Sequence, residues 1–326
     1  MINKIRLFRT DCTDPYRNLA VEEYLMETVQ PGECILYLWQ NQNTVVIGRN
    51  QNPWKECRTS LLEEEGGHLA RRLSGGGAVF HDLGNLNFTF LVNEEEYDLD
   101  RQLWVIKAAC RELGLSAERS GRNDVLVDGR KFSGNAFYHS KGKAYHHGTL
   151  LVDVDGEKLA RYLSPSKAKL RAKGVDSVRS RVVNLVELVP GLTCERMALA
   201  MERAFAEVYE LPLEQADESR LDIETVERLC VRNGSREWLY GPRLPLSFEC
   251  EERFDWGSVL LQLQVESGVV VQAKVYSDAM DWELAPALER LLVGSEFSQQ
   301  ALCLRIQAGL AQYAGDVCDM LTRQQI

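Results

Sequence analysis

Three stretches of this sequence hold residues whose types and spacing suit chemistry on an anionic ligand. The first runs from Arg71 and Arg72 through Leu73 and Ser74 into Gly75, Gly76 and Gly77, then through Ala78, Val79 and Phe80 to His81. Successive glycines let backbone N–H groups approach a ligand closely. A guanidinium just ahead of them can grip a phosphate through two parallel bonds. The stretch is not a Walker A loop, because no Gly-Lys-Ser/Thr follows. Nor is it a dinucleotide fingerprint, because Phe80 stands where the third glycine belongs. Taken alone, the triple glycine reads as a flexible turn. The second stretch spans 121–137 and carries Lys131 on a strand just past a tight turn at Asp128 and Gly129. Lys131 and Phe132 alternate, so one of the two faces the core. A lysine beside a phosphate is a compact fixed charge that stabilises charge building up in phosphoryl or adenylyl transfer, although most lysines are surface groups. Arg122, Asn123 and Asp124 enter the same sheet and read equally as turn caps. The third stretch, 166–181, holds six basic residues and one acid. A solvated helix face is the commoner fate of such a run, but Gly174 also offers a hinge for a loop closing over an anion. His146 and His147 lack a third ligand at metal spacing, and one of them reads as a buried, hydrogen-bonded residue.

The elements that must position these groups follow from the hydrophobic pattern. A helix is predicted from Pro15 to about Val29, and strands over 34–40, 44–48, 85–92 (alternating, half-buried), 124–127, 130–137 and 145–154. Asp128-Gly129 is a preferred two-residue hairpin turn because both positions tolerate positive φ. Further helices are predicted near 100–113, 156–163, 193–209 and 222–231. The strands form a meander rather than an alternating β-α-β series, which implies an α+β fold with a mixed sheet. Gly241, Pro242 and Pro245 mark a linker. Beyond it the pattern restarts, with strands near 250–254, 258–266 and 268–276 and helices near 282–292 and 297–312. The expected division is 1–246 and 247–326.

The 326 residues carry 38 Lys plus Arg against 48 Asp plus Glu, a net charge of −10, which argues against a general nucleic-acid binder. No apolar run approaches the roughly 20 residues of a membrane helix, and charges interrupt the first apolar stretch, so no signal peptide is expected. The nine cysteines are scattered without C-x-x-C pairs, as in a cytoplasmic protein with reduced thiols.

Together and in order, these segments resemble the lipoate–protein ligase A family. The resemblance rests on Thr44 to Arg49 and Gln51 to Cys57, on Arg71–Arg72 with Ser74 to Asn85, and on Ser120 to Asp124. It continues through Arg130–Lys131 with Ser133–Gly134, His146 to Leu151, Ala172 to Arg181, Glu252 to Gly257, and Val275 to Asp278. It implies a biotin/lipoate ligase-like catalytic domain with a small α+β C-terminal accessory domain. It also implies an enzyme that uses ATP, with Mg2+ as activator, to convert lipoate to lipoyl-AMP and pyrophosphate. The lipoyl group then passes to a lysine of acceptor domains in 2-oxoacid dehydrogenase complexes or glycine-cleavage H protein, with no tightly bound prosthetic group. By resemblance Lys131 is catalytic and touches both substrates. Arg72, Gly77, Ala78, Val79, Phe80, Lys173, Gly174, Val175, Asp176, Ser177, Val178 and Arg179 bind the adenylate. Ser74, Gly75, Gly76, His81, His147 and Gly148 border lipoate, with Val46, Phe80 and the 145–151 strand as candidates for its apolar slot. Asp124 is a possible magnesium ligand. An octanoyl or lipoyl transferase of the same fold would need a cysteine thiolate as acyl carrier, and none lies in 71–90, 121–137 or 145–151. A biotin ligase would need an arginine-rich loop and a DNA-binding extension. A non-catalytic lipoate-binding protein stays open.

Overall fold

Runs of β-branched and aromatic residues, broken by turns at positive φ, generate the strands that frame the site. The computed structural model describes residues 1–121, 123–164, 182–241 and 245–324. Its strands are β1 (Lys4–Arg9), β2 (Glu33–Trp39), β3 (Thr44–Ile47), β4 (His68–Arg71), β5 (Val79–His81), β6 (Asn85–Asn93), β7 (Ala117–Ser120), β8 (Asp124–Val127), β9 (Arg130–Ser140), β10 (Lys143–Leu151), β11 (Leu213–Ala216), β12 (Phe248–Phe254), β13 (Gly257–Glu266) and β14 (Val269–Ser277). Eight of them make one sheet in the order β11-β1-β2-β6-β10-β9-β8-β7. β1 pairs in parallel with β11 and β2, and the other neighbours are antiparallel, so the sheet is mixed as expected. Asp128 and Gly129 both adopt positive φ (52° and 72°), which closes the β8–β9 hairpin. Lys141 and Gly142 do the same between β9 and β10.

Helices cover both faces of this sheet. Leu99–Glu112 and Cys194–Tyr209 pack on one face, against Leu36, Phe88, Phe90 and Phe132. Pro15–Thr28 and Ile223–Gly234 pack on the other, with Tyr37, Trp39, Leu91 and Tyr145. Asp14 caps the first of these helices, its carboxylate accepting from the N–H groups of Tyr16 and Arg17. Double coverage corrects the half-buried assignment of β6: every residue from Asn85 to Val92 is buried. Leu86, Phe88, Phe90 and Val92 enter the first core. The alternate residues Asn85, Asn87 and Thr89 therefore place a polar stripe on the opposite side, inside the protein.

The 41–43 turn does not join neighbouring strands of one sheet. It carries the chain from β2 to a second, three-stranded sheet ordered β4-β3-β5, from which the glycine segment springs. The short strands β1, β4, β5, β7 and β11 and the helix Arg236–Tyr240 have no counterpart in the sequence expectations.

The third sheet, β12-β13-β14, has its own core with the helices Leu284–Leu292, Gln299–Gly309 and Ala311–Thr322. The expected single helix over 297–312 is thus two helices, and the last runs ten residues further. Ser267 and Gly268 turn at positive φ between β13 and β14, as their sequence suggests. Of the 241–247 linker, residues 242–244 lie outside the described residues.

Candidate functional site

The polar stripe of β6, the hairpin face of β9, strand β10 and the glycine segment meet around a cavity of about 160 Å3. Leu19, Trp39, Val46, Ala78, Val79 and Ala136 supply apolar lining, and Arg72, His81, Asn87, Lys131 and His147 supply polar lining. An apolar slot with a few convergent polar groups suits a ligand with an apolar body and a charged end.

Lys131 reaches the cavity because Phe132, its neighbour on β9, is fully buried in the core behind. Its Nζ pairs with Asp124 Oδ1 across the hairpin at 2.6 Å, in a half-exposed position. Gly134 leaves room for it, since a Cβ there would stand 3.0 Å from Nζ. The Lys131 carbonyl accepts from Val183 N–H at 2.9 Å, so the chain re-enters the described structure beside this lysine. Asn123 and Asn135 bracket each other on the next rung: Asn135 N–H donates to Asn123 O (2.8 Å) and Asn123 Nδ2 to Asn135 O (2.9 Å).

The glycine segment is not a free turn. A Cβ on Gly48 would stand 2.3 Å from Gly76 O, and one on Gly75 would stand 2.4 Å from Ala279 O. Backbone is packed on backbone, and Gly76 also needs its φ of +90°. Gly76 N–H donates to Ala279 O at 3.0 Å, which seats the segment after β14 on this loop. Two buried guanidiniums brace the rest. Arg72 donates to Val46 O, Ser74 Oγ, Gly75 O and Gly77 O. Arg71 donates to the carbonyls of Gly48, Arg49, Gln51, Trp238 and Leu239. Burial pulls both arginines down to about 10, still protonated at neutral pH. Arg72 lines the cavity, whereas Arg71 faces a different cleft.

Ser74 begins a hydrogen-bonded chain that ends on a buried carboxylate. Arg72 Nε donates to Ser74 Oγ (3.1 Å), and Ser74 Oγ lies 2.8 Å from His147 Nε2. His147 Nδ1 lies 2.8 Å from Glu22 Oε1, which also accepts from Thr89 Oγ1 at 2.7 Å. Trp39 Nε1 donates to Thr89 Oγ1 at 3.1 Å. With Glu22 Oε1 as the shared acceptor, His147 Nδ1 is the donor to it. His81 contributes differently. Its Nδ1 meets Asn41, while its buried Nε2 has no partner among the described residues, as is also true of Asn87 Nδ2. Burial, then Arg72 and His147, push His81 down to about 3, so it is neutral. His146 sits on the opposite side, held by Gln102 and Asn135, and burial takes it to about 3 as well.

Arg72, Gly76, Gly77, Ala78, Val79, His81, Lys131, His147 and Gly148 thus line one cavity, and Val46 with them. Ser74 and Gly75 stand behind it as support. Phe80 points away, packing on Tyr162 with ring centroids 5.5 Å apart. Arg122 and the adenylate-loop candidates Lys173, Gly174, Val175, Asp176, Ser177, Val178 and Arg179 lie outside the described residues. Glu22, Trp39, Asn87 and Thr89 were not anticipated from the sequence. A polar alternation on an otherwise apolar strand, and an acid on the inner face of the first helix, were the available signals. No group of three or more His, Cys, Asp or Glu able to hold a metal stands among the described residues, and none of their helices is long and apolar enough to cross a membrane.

The lipoyl protein ligase A/B catalytic domain matches residues 14–206, and the bacterial lipoate protein ligase C-terminus matches 245–319. Among solved structures, P. falciparum LipL1 in complex with lipoate is 26% identical with a TM-score of 0.86, over 98% of this chain and 99% of that one. The ligase of a bipartite archaeal lipoylation system from Thermoplasma acidophilum, studied with its E2 lipoyl domain, is 27% identical with a TM-score of 0.66, over 76% and 100%. A lipoate-protein ligase A bound with ATP is 25% identical with a TM-score of 0.64, over 74% and 99%. The family match covers more than half of the chain, and the chain belongs to the lipoyl protein ligase A/B family.

Proposed function

We propose that this protein is an ATP-dependent lipoate–protein ligase. In the first step a lipoate carboxylate oxygen attacks the α-phosphorus of ATP. The bond to the β-phosphate bridging oxygen breaks, and pyrophosphate leaves lipoyl-AMP behind. In the second, the neutral ε-amine of an acceptor lysine attacks the lipoyl carbonyl, AMP leaves, and the amine proton passes to solvent. The acceptors fitting this chemistry are lipoyl domains of 2-oxoacid dehydrogenase complexes and glycine-cleavage H protein.

The observation that carries this reading is Lys131 Nζ, held by Asp124 beside a cavity whose other end is apolar. Attack of an anion on a polyanion needs positive charge in place at the α-phosphate. Lys131 supplies it, and an incoming phosphate competes with Asp124 for the ammonium. Arg72 serves the nucleotide through the loop it braces, with the backbone of Gly77, Ala78, Val79 and Phe80, and with residues 173–179. Ser74, Gly75, Gly76, His81, His147 and Gly148 border the lipoyl group. Mg2+ arrives as the counter-ion of ATP, coordinated by phosphates and water. Asp124, the one carboxylate suggested for the ion, is engaged with Lys131, and no group of three or more His, Cys, Asp or Glu able to hold a metal stands among the described residues. The catalytic unit is 1–246, and 247–326 is accessory.

A thiolate-dependent transferase fits less well. No cysteine lines the cavity among the described residues, and burial pushes the Cys57 thiol up to about 12. The test is to supply lipoate, ATP and Mg2+ and to follow pyrophosphate, then to add an apo lipoyl domain and follow its mass. Pyrophosphate release that requires lipoate supports the ligase. Acyl transfer from an acyl-carrier donor without ATP refutes it.

A further inference from the structure

A second cleft, of about 580 Å3, opens between Arg49, Arg71 and the Arg232–Gly241 segment on one side and Lys274, Tyr276 and Glu289 on the other. Its cations are Arg49, Arg71, Arg232 and Lys274. Two of these already have carboxylates: Arg232 pairs with Glu23, and Lys274 pairs with Glu289 at 2.9 Å. Arg71 has only backbone carbonyls. Arg49 has less still. Its guanidinium stands over the Trp238 ring, 4.6 Å from the centroid, as does that of Arg232. Among the described residues its side chain has no hydrogen-bond or ion-pair partner. The remaining carboxylate of the lining, Glu237, is exposed to solvent.

Two guanidiniums beside one indole, with one carboxylate between them, leave excess positive charge in a partly desolvated place. Burial pulls Arg49 below the ordinary arginine value, and Arg232 adds repulsion. A planar fork with free donors is the natural ligand of an oxyanion, and Arg71 adds a second charge that no carboxylate offsets. We propose that this cleft is a binding site for a doubly charged oxyanion of the phosphate class, separate from the Lys131 cavity. Arg49 grips the anion from one side, and Lys274 reaches it from the third sheet by leaving Glu289. Occupation ties the two parts of the chain together. It is also felt at the glycine segment, because Arg49 N–H donates to Ser74 O at 2.9 Å.

The probe is inorganic phosphate, titrated into the full chain without lipoate or nucleotide and against sodium chloride of equal ionic strength. The readout is the indole N–H resonance of Trp238, assigned by its loss in Trp238→Phe. That N–H donates to Arg71 O at 3.0 Å and lies in the cleft wall. A saturable shift is expected in the wild type and in Lys131→Ala, whose change lies in the other cavity. In Arg49→Gln the affinity falls about tenfold or more, the loss of a charge-assisted contact. Arg49 makes no side-chain hydrogen bond here, so this variant keeps its fold. Lys274→Gln weakens binding by a smaller factor. A resonance that phosphate moves no more than chloride does overturns the site, as does equal affinity in Arg49→Gln. Loss of the response in Lys131→Ala alone would relocate the anion to the first cavity and refute a separate site.

Discussion

Replacing Glu22 tests whether the buried chain from Arg72 to Glu22 organises the cavity. In Glu22→Ala, the His147 Nδ1–H and the Thr89 hydroxyl both lose their acceptor. The two bonds measure 2.8 and 2.7 Å, and Glu22 is 2% exposed, so water does not replace them. A hydrogen bond to a charged group contributes about 1.5–3 kcal/mol. Allowing for relaxation and shared partners, the expected loss is about 3–5 kcal/mol, a large part of the roughly 5–15 kcal/mol that holds a domain folded. Glu22→Gln keeps one acceptor oxygen without the charge and should cost about 1–2 kcal/mol, since neutral bonds are roughly half as strong. Thr89→Val removes one of the two bonds. Because both donors share one acceptor, the double variant with Glu22→Ala should cost clearly less than the sum of the single costs. Equilibrium urea unfolding followed by circular dichroism measures these values. In the folded Glu22→Gln protein, the KM for lipoate should rise with a smaller change in that for ATP. Destabilisation below about 1 kcal/mol in Glu22→Ala, or strict additivity with Thr89→Val, would show that the chain is incidental packing.

Lys131→Ala should lower lipoate-dependent pyrophosphate release by roughly 10²–10³, the cost of losing one preorganised donor, with little change in melting temperature because its ion pair is half-exposed; near-normal release sinks the assignment. His81 and His146, both held near 3 against 6.5 for a free histidine, bind fewer protons folded than unfolded, so stability falls as pH drops from about 6.5 towards 3. In His146→Asn that fall should be shallower, and an unchanged melting-temperature slope over this window argues against a neutral buried imidazole. Blocking accessible thiols under native conditions should leave ligation intact, since no cysteine lines the cavity among the described residues; an acyl-thioester trapped on any cysteine would instead support a transferase.

The hairpin at Asp128 and Gly129 was legible because its chemistry is local: two positions that tolerate positive φ, flanked by apolar runs, close a turn wherever they occur. Period two put one of Lys131 and Phe132 on the core side, and the structure gives that side to Phe132. Short strands escaped because β1, β4, β5, β7 and β11 have only three to six residues and draw their stability from neighbours. Thr44–Ile47 was recognised as a strand but not its sheet, since a three-residue polar turn can as well change layers as reverse direction. Glu22 and Thr89 were invisible for a different reason. A buried carboxylate is stable only with its partners, and those partners come from a helix, a central strand and β10, none adjacent in sequence.

The glycine segment shows how one sequence signal can carry two physical meanings. Two arginines followed by three glycines suggest a cradle that waits for phosphate. In the structure the same residues are already engaged, the guanidiniums with carbonyls and Gly75 with backbone that would collide with any Cβ. The two meanings are compatible, because a loop whose carbonyls are tied back presents its N–H groups in a fixed array without a conformational cost at binding. Gly76 N–H is at present satisfied by Ala279 O, so the third sheet lends the loop a partner. A ligand that took this N–H would have to displace that carbonyl, so the ligand and the segment after β14 would compete for one donor.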